Sequence, residues 1–257
     1  MLLKVQPRQM RARLPDQVTL LHGPNDILGR YLLLADRAAR ERGVYLSLES
    51  DFDALLALNE ANREHWHPLA PSFDPRISAV GPDNAFWILG RNIDGEPVLT
   101  QVVRYFPMLQ STLADEFESL RIFYRDPGKQ ARPGERCIVT APSARRITGH
   151  VVYSGGTWFR PDFRGRGLAS IVPRMGRAIA LSRWNTDFAF SFVKRVLVDK
   201  GVARSYGFRN VEYAINWIGS PEGKDIEAAL VWIGQDDFIF DLETTLVLHP
   251  RAERLSA

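Results

Sequence analysis

The sequence predicts an α/β fold of the α+β kind, with strands and helices interleaved in one chain. Three observations predict it. Short runs of alternating apolar residues recur between runs of helical period. Asp94-Gly95, a strong hairpin turn, joins two of the alternating runs. A strand-like run ending at Phe159 meets two glycines, and apolar residues then fall at Leu168, Ile171, Val172, Met175 and Ile179, the helix period. With 45% hydrophobic and 25% charged residues, 257 residues suffice for one large domain with additions or for two small ones.

In chain order, residues 1–23 read as an arm, basic at first through Arg8, Arg11 and Arg13. Pro24-Asn25-Asp26 opens a helix to Arg42, with Leu28, Tyr31, Leu32, Leu34, Ala35 and Ala38 on one face and Gly43 as its stop. Residues 44–49 form a strand. Asp51 or Asp53 caps a helix reaching His65, with Leu55, Leu56, Leu58 and Ala61 buried. Residues 85–92 and 97–106 form a hairpin, placing Leu99, Gln101, Val103 and Tyr105 on one face and Val98, Thr100, Val102, Arg104 and Phe106 on the other. Between Pro107 and Arg146, residues Leu113 to Tyr124 read as helix and the rest, punctuated by Asp126-Pro127-Gly128, Gly134 and Pro142, as loop. Ile147 to Phe159 is a strand with a bulge expected at Gly155-Gly156. A helix starts after Gly167, with Pro173 inside it at the cost of one internal N–H. Then come a strand at Asp187 to Val193, a short helix, a strand at Phe208 to Ile218 with Val211, Tyr213, Ile215 and Trp217 on one face, and a strand at Ala228 to Gly234. Asp236 caps a last helix to about Leu246, and the tail from His249 is polar and expected to fray.

Charge is concentrated. Residues 160–209 hold eleven Lys/Arg against three Asp, a net +8, while the whole chain is +3, so the remainder carries −5. A glycine turn that feeds a helix exposes backbone N–H groups at the positive end of the dipole, and Gly165 and Gly167 let a phosphate approach. Arg164 and Arg166 add charge. A partner with several phosphates fits this better than nucleic acid, which is not expected: the basic segment lacks interleaved aromatics and helix-turn-helix spacing.

Phe159-Arg160-Pro161-Asp162-Phe163-Arg164-Gly165-Arg166-Gly167-Leu168-Ala169-Ser170 contains Arg164-x-x-Gly167-x-Ala169. This resembles the acyl-CoA signature Gln/Arg-x-x-Gly-x-Gly/Ala of the GNAT N-acetyltransferase superfamily. Tyr206-Gly207-Phe208, an aromatic after glycine at the end of the next helix, resembles the family's other landmark. The resemblance covers residues 148–218 and extends over 43–235. It implies a mixed, mostly antiparallel sheet of about seven strands, splayed between strands 4 and 5, with acetyl-CoA as cosubstrate. It implies cofactor contacts at Trp158, Phe159, Arg160, Arg164, Gly165, Arg166, Gly167, Leu168, Ala169 and Ser170, with Arg160, Arg174 or Arg204 meeting the adenosine 3′-phosphate.

For the chemistry, the family commonly places a thiolate-protonating Tyr four residues before the glycine; here that position is Ala203. Its strand-4 Glu base is missing from Val151-Val152-Tyr153-Ser154-Gly155-Gly156. Tyr153 and Tyr206 are the candidate catalytic residues, Tyr206 being expected to pack against the sheet. Glu60, Glu64, His65 and His67 lie where the family flanks its acceptor groove. The expected function is acetyl transfer to a small-molecule or protein amine; the alternative is a non-catalytic acyl-CoA-binding module.

The remaining expectations concern organisation. Residues 1–42 form an arm and helix, 43–235 the acyltransferase domain with an insertion at 107–146, and 236–257 a helix and tail. The insertion is a candidate lid, specificity element or dimerising appendage, and a homodimer is allowed. One cysteine, Cys137, excludes an internal disulfide and a Cys-based zinc cage, and no metal is expected. Met1-Leu2-Leu3-Lys4 lacks a following apolar run, and no run approaches the ~20 residues of a membrane helix. A cytoplasmic location without membrane contact is therefore expected.

Overall fold

The computed structural model describes residues 13–249. Arg8, Arg11 and most of the C-terminal tail lie outside these residues. The chain begins with a 3-10 turn, Leu14–Gln17, and runs through α1 (Asn25–Glu41), β1 (Tyr45–Glu49) and α2 (Phe52–Ala61). The hairpin β2 (Ala85–Arg91) and β3 (Pro97–Met108) follows, then α3 (Leu113–Glu118), α4 (Pro127–Gln130) and β4 (Arg136–Val139). The second half is β5 (Gly149–Phe159), α5 (Val172–Trp184), β6 (Phe188–Lys194), α6 (Arg195–Asp199), α7 (Val202–Ser205), β7 (Asn210–Ile218), β8 (Ile226–Gly234) and α8 (Gln235–Leu248).

All eight strands join one sheet in the order β1-β2-β3-β5-β6-β8-β7-β4. Every pairing is antiparallel except β5 with β6. The sheet is therefore mixed and mostly antiparallel, as the resemblance implies, with one more strand than expected. The addition is β4, which pairs along β7 from Arg136 opposite Ile218 to Val139 opposite Ile215. Its four residues are too few to give a periodic signal, so the segment reads as loop. Strands 4 and 5 of the family pattern are thus β5 and β6 here.

Each face of the sheet has its own core. α1, α5 and α8 cover one, around Leu28, Tyr31, Leu32, Met175, Leu181, Phe238 and Leu242. On the other, Phe52, Leu55, Phe73, Phe117, Phe123 and Tyr153 pack over Phe190, Ile215 and Trp217. The β3 alternation holds from Leu99 to Phe106, but Val98 joins the Leu99 side, next to a register shift at Gly90 and Arg91.

Local differences from the expected elements have identifiable causes. α2 is capped by Asp51, whose carboxylate accepts from the Ala54 amide, and it ends at Ala61 rather than His65. The expected helix to Tyr124 stops at Glu118 because Leu120 turns left-handed (φ 61°). In β7 a bulge between Glu212 and Ile215 breaks the alternation, turning Val211 and Tyr213 to solvent while Ile215 and Trp217 stay buried. Gly201 (φ 79°) splits the short helix after β6 into α6 and α7. Gly234, not Asp236, caps α8, and Asp236 and Asp237 lie in its first turn, complementing the dipole.

The insertion belongs to the core. Leu113, Phe117, Ile122 and Phe123 are fully buried. Phe123 stacks on Trp217 at 3.9 Å, and Phe117 meets Phe190 and Phe192 edge-on. The Glu135 carboxylate, itself buried, accepts from the Tyr124 hydroxyl at 2.8 Å and the Trp217 indole at 2.9 Å. Phe117→Ala is expected to lower unfolding free energy by about 3–5 kcal/mol, read by denaturant titration. A loss below ~1 kcal/mol would show that the insertion is a detachable appendage.

Candidate functional site

The sheet opens between β5 and β6. Their parallel pairing spans only Val151–Phe188, Val152–Ala189 and Tyr153–Phe190. Beyond it, β6 keeps β8 as its partner to Lys194, and β5 keeps β3 to Phe159. The facing edges of 154–159 and 191–194 are left apart. A bulge accompanies the separation: Thr100 faces Trp158 and Val102 faces Gly155, so Gly156 and Thr157 together oppose Gln101. Gly156 has φ 57°, and a Cβ there would lie 2.5 Å from Val102 Cγ2. Glycine is required on both counts. The Arg160 amide donates to the Val98 carbonyl at 2.8 Å, so the antiparallel alternation turns the Phe159 amide and carbonyl toward the opening.

β5 runs into the arginine-glycine loop. A 3-10 turn at Pro161–Phe163 leads to Gly165 (φ 73°) and Gly167 (φ 74°), both left-handed. Among the described residues, the amides of Gly165, Arg166, Gly167, Leu168 and Ala169 donate to no backbone acceptor. The expected helix does not begin at once. Leu168–Ser170 is a 3-10 turn, and α5 starts at Val172 with Pro173 in its first turn, where no amide is needed. Pro173 therefore costs α5 nothing.

Three guanidiniums crowd this loop and bind only carbonyls among the described residues. Arg164 donates to the carbonyls of Phe159 (3.1 Å) and His65 (3.2 Å). Arg166 donates to Asp162 (3.0 Å) and lies 4.0 Å above the Phe163 ring. Arg42, which no sequence motif marks, donates from Nε to the Arg166 carbonyl at 2.7 Å. Only the fold brings Arg42 here, 124 residues from its partner. Arg160 differs: it pairs with Asp162 (2.7 Å) and Glu96 (2.8 Å), and its guanidinium holds both carboxyls below the usual range. Its charge is already matched.

A second group of arginines braces the far side of the loop. Arg174 pairs with Asp241 of α8 at 2.7 Å and donates to the carbonyls of Ser170 (2.8 Å) and Ser205 (3.1 Å), tying the loop to the end of α7. A Cβ at Gly207 would lie 2.6 Å from Arg174 Cζ, which explains the glycine of the second landmark. Arg177, fully buried, donates to the Tyr206 carbonyl and lies over the rings of Phe208 and Phe238. Burial, then the charge of Arg174, pushes it down to about 9. Of the three arginines expected to meet a 3′-phosphate, Arg160 and Arg174 are committed to carboxylates. Arg204 has no acceptor among the described residues and lines a surface pocket of about 400 Å³ with Arg174, Gly207, Phe208, Arg209, Val211 and Asp241.

The candidate catalytic residues lie apart. Tyr153 stacks between Phe73 (4.7 Å) and Phe190 (5.1 Å), and burial pushes its hydroxyl well above the usual tyrosine range. Tyr206 packs half-buried on the α5 face, and its hydroxyl is shifted from the usual tyrosine range. Burial raises it, and Thr157 opposes the shift. Ala203 is buried. Trp158 stacks on Trp66 at 4.9 Å with its indole N–H unpaired. Glu60, Glu64, His65 and His67 lie on the segment from α2 toward Trp66, with Glu64 and His65 side by side at 3.8 Å. Among the described residues no group of His, Cys, Asp and Glu could hold a metal ion, and no helix is long and apolar enough to cross a membrane.

No family model and no curated protein matches the sequence. Among solved structures the fold is similar to Arabidopsis thaliana NAA60 in complex with acetyl-CoA (12% identity, 75% of this chain and 99% of that one, TM-score 0.46). It is also similar to Mycobacterium smegmatis RimJ in complex with CoA-disulfide (15%, 81% and 90%, 0.44). A third is the aminoglycoside acetyltransferase AAC(6′)-Ib with acetyl-CoA and an aminoglycoside (14%, 76% and 96%, 0.41). These are likenesses of chain path. What the loop and the opening can do follows from their own residues.

Proposed function

We propose that this chain binds acetyl-CoA in the manner of GNAT acetyltransferases and transfers the acetyl group to an amine. One observation carries the reading: five successive amides without acceptors, ringed by Arg42, Arg164 and Arg166 that hydrogen-bond only carbonyls, stand at the mouth of the opening between β5 and β6. Such a loop suits a diphosphate, and an extended pantetheine chain could accept from the outward-facing Phe159 amide of β5. Trp158, Phe159, Gly165 to Ala169, and Ser170 are the contacts proposed.

In the reaction, the neutral amine nitrogen attacks the thioester carbonyl, the C–S bond breaks, the nitrogen loses a proton and the thiolate gains one. A backbone N–H at the β5 bulge would stabilise the oxyanion. The acceptor is a small-molecule or protein amine.

A second reading is a non-catalytic acyl-CoA-binding module. It is favoured by the composition of the opening: 154–159 and 191–194 carry no carboxylate and no histidine. The adjoining face is packed with Tyr153, Phe190 and Phe192 rather than a base. Labelled acetyl-CoA incubated with a panel of amines separates the readings. Acetylated product supports the enzyme; tight binding without product supports the module.

Gly167→Asp places a negative charge among the free amides and forces a side chain into the left-handed region. Calorimetry is expected to show acetyl-CoA binding at least tenfold weaker; unchanged affinity would displace the site from this loop. CoA is expected to bind more tightly than dephospho-CoA through Arg204, by about 1.5–3 kcal/mol. Arg204→Gln should remove the preference, and equal dissociation constants in the parent would exclude a 3′-phosphate contact. Tyr206→Phe should leave turnover within a few-fold, since the ring packs against the α5-face core. Loss of a true general acid costs ~10²–10⁴-fold. A hundredfold fall in kcat at unchanged Tm would make Tyr206 the acid.

A further inference from the structure

α1 precedes the first strand, yet it grips the arginine-glycine loop at two points, within the run of free amides and just after it. At one end the Tyr31 hydroxyl donates to the Ile171 carbonyl at 3.2 Å. At the other, Arg42, the residue capping α1, donates from Nε to the Arg166 carbonyl at 2.7 Å and from Nη1 to the Ala38 carbonyl at 2.6 Å. Arg166 returns a bond from Nη1 to the Arg42 carbonyl at 3.4 Å. A Cβ at Gly167 would lie 3.7 Å from Arg42 Nε and 3.8 Å from Nη2, so the guanidinium rests against Gly167. Nε and Nη1 are occupied by carbonyls. Nη2 keeps its hydrogens beside the glycine, and no carboxylate among the described residues neutralises the charge.

We infer that Arg42 is a direct ligand of the CoA diphosphate, so that α1 is part of the cofactor site. The inference rests on the acyl-CoA reading. Nε holds the loop, Nη1 is anchored on the Ala38 carbonyl of α1 itself, and Nη2 lies beside Gly167, next to the free amides. A lysine could supply the charge but not both carbonyl bonds.

The test is calorimetry of CoA and of pantetheine, which lacks the diphosphate, with the parent, Arg42→Gln and Arg42→Lys at several salt concentrations. Arg42→Gln should weaken CoA binding about ten- to a hundredfold at low salt, with less loss at high salt. Pantetheine affinity should not change, and Arg42→Lys should recover most of the salt-dependent part. CoA affinity unchanged in Arg42→Gln would overturn the inference. So would a loss independent of salt that lysine does not rescue, because that marks a purely structural hold on the loop. A parent that binds no CoA would remove the acyl-CoA reading itself and Arg42's role with it; a parent that binds while Arg42→Gln binds equally would remove Arg42 alone.

Discussion

The loss of pairing between β5 and β6 after three residue pairs is the constraint on which the site depends. Two parallel strands normally continue together, because each unpaired buried amide or carbonyl costs free energy. Here β5 carries a bulge at Gly156 and Thr157, and crowding makes glycine necessary there. β6 follows β8 instead. The gap leaves the Phe159 backbone facing outward and delivers the chain into the loop whose amides lack acceptors. Fixing that loop takes elements from across the chain: Arg42 and Tyr31 from α1, Arg174 held by Asp241 of α8, and the end of α7.

The distribution of charge becomes selective once the partners are known. The +8 of residues 160–209 overstates what is available to a ligand. Arg160, Arg174, Lys194 and Arg209 are each matched by a carboxylate. Arg177 is enclosed under two rings, its charge disfavoured by burial. What remains near the opening is Arg164, Arg166 and, from outside the segment, Arg42, with Arg204 over the adjacent pocket. Surface ion pairs contribute little stability, so their main consequence here is to decide which cations stay uncompensated.

The sequence disclosed the parts that depend on local pattern. The Asp94-Gly95 hairpin, the glycines of the bulge and the arginine-glycine loop could be read because turn chemistry and period are local properties. β4 could not, since its four residues gain strand character only by pairing with β7. Leu120 ends α3 through a left-handed conformation that leucine rarely adopts, held by its burial among the insertion's aromatics. The β7 bulge moved Tyr213 to the surface for a similar nonlocal reason. Arg42 was illegible because a helix-capping arginine has no distinguishing neighbours in sequence.

On the proposed function, the free amides of the loop and the Phe159 amide of β5 receive a CoA molecule. Amide hydrogen exchange measured with and without CoA tests it most directly. Exchange is expected to slow at Gly165 to Ala169 and at Phe159 on adding CoA, with little change on the far edges at β1 and β4. Unchanged exchange at those amides under saturating CoA, or protection confined to another part of the sheet, would contradict it.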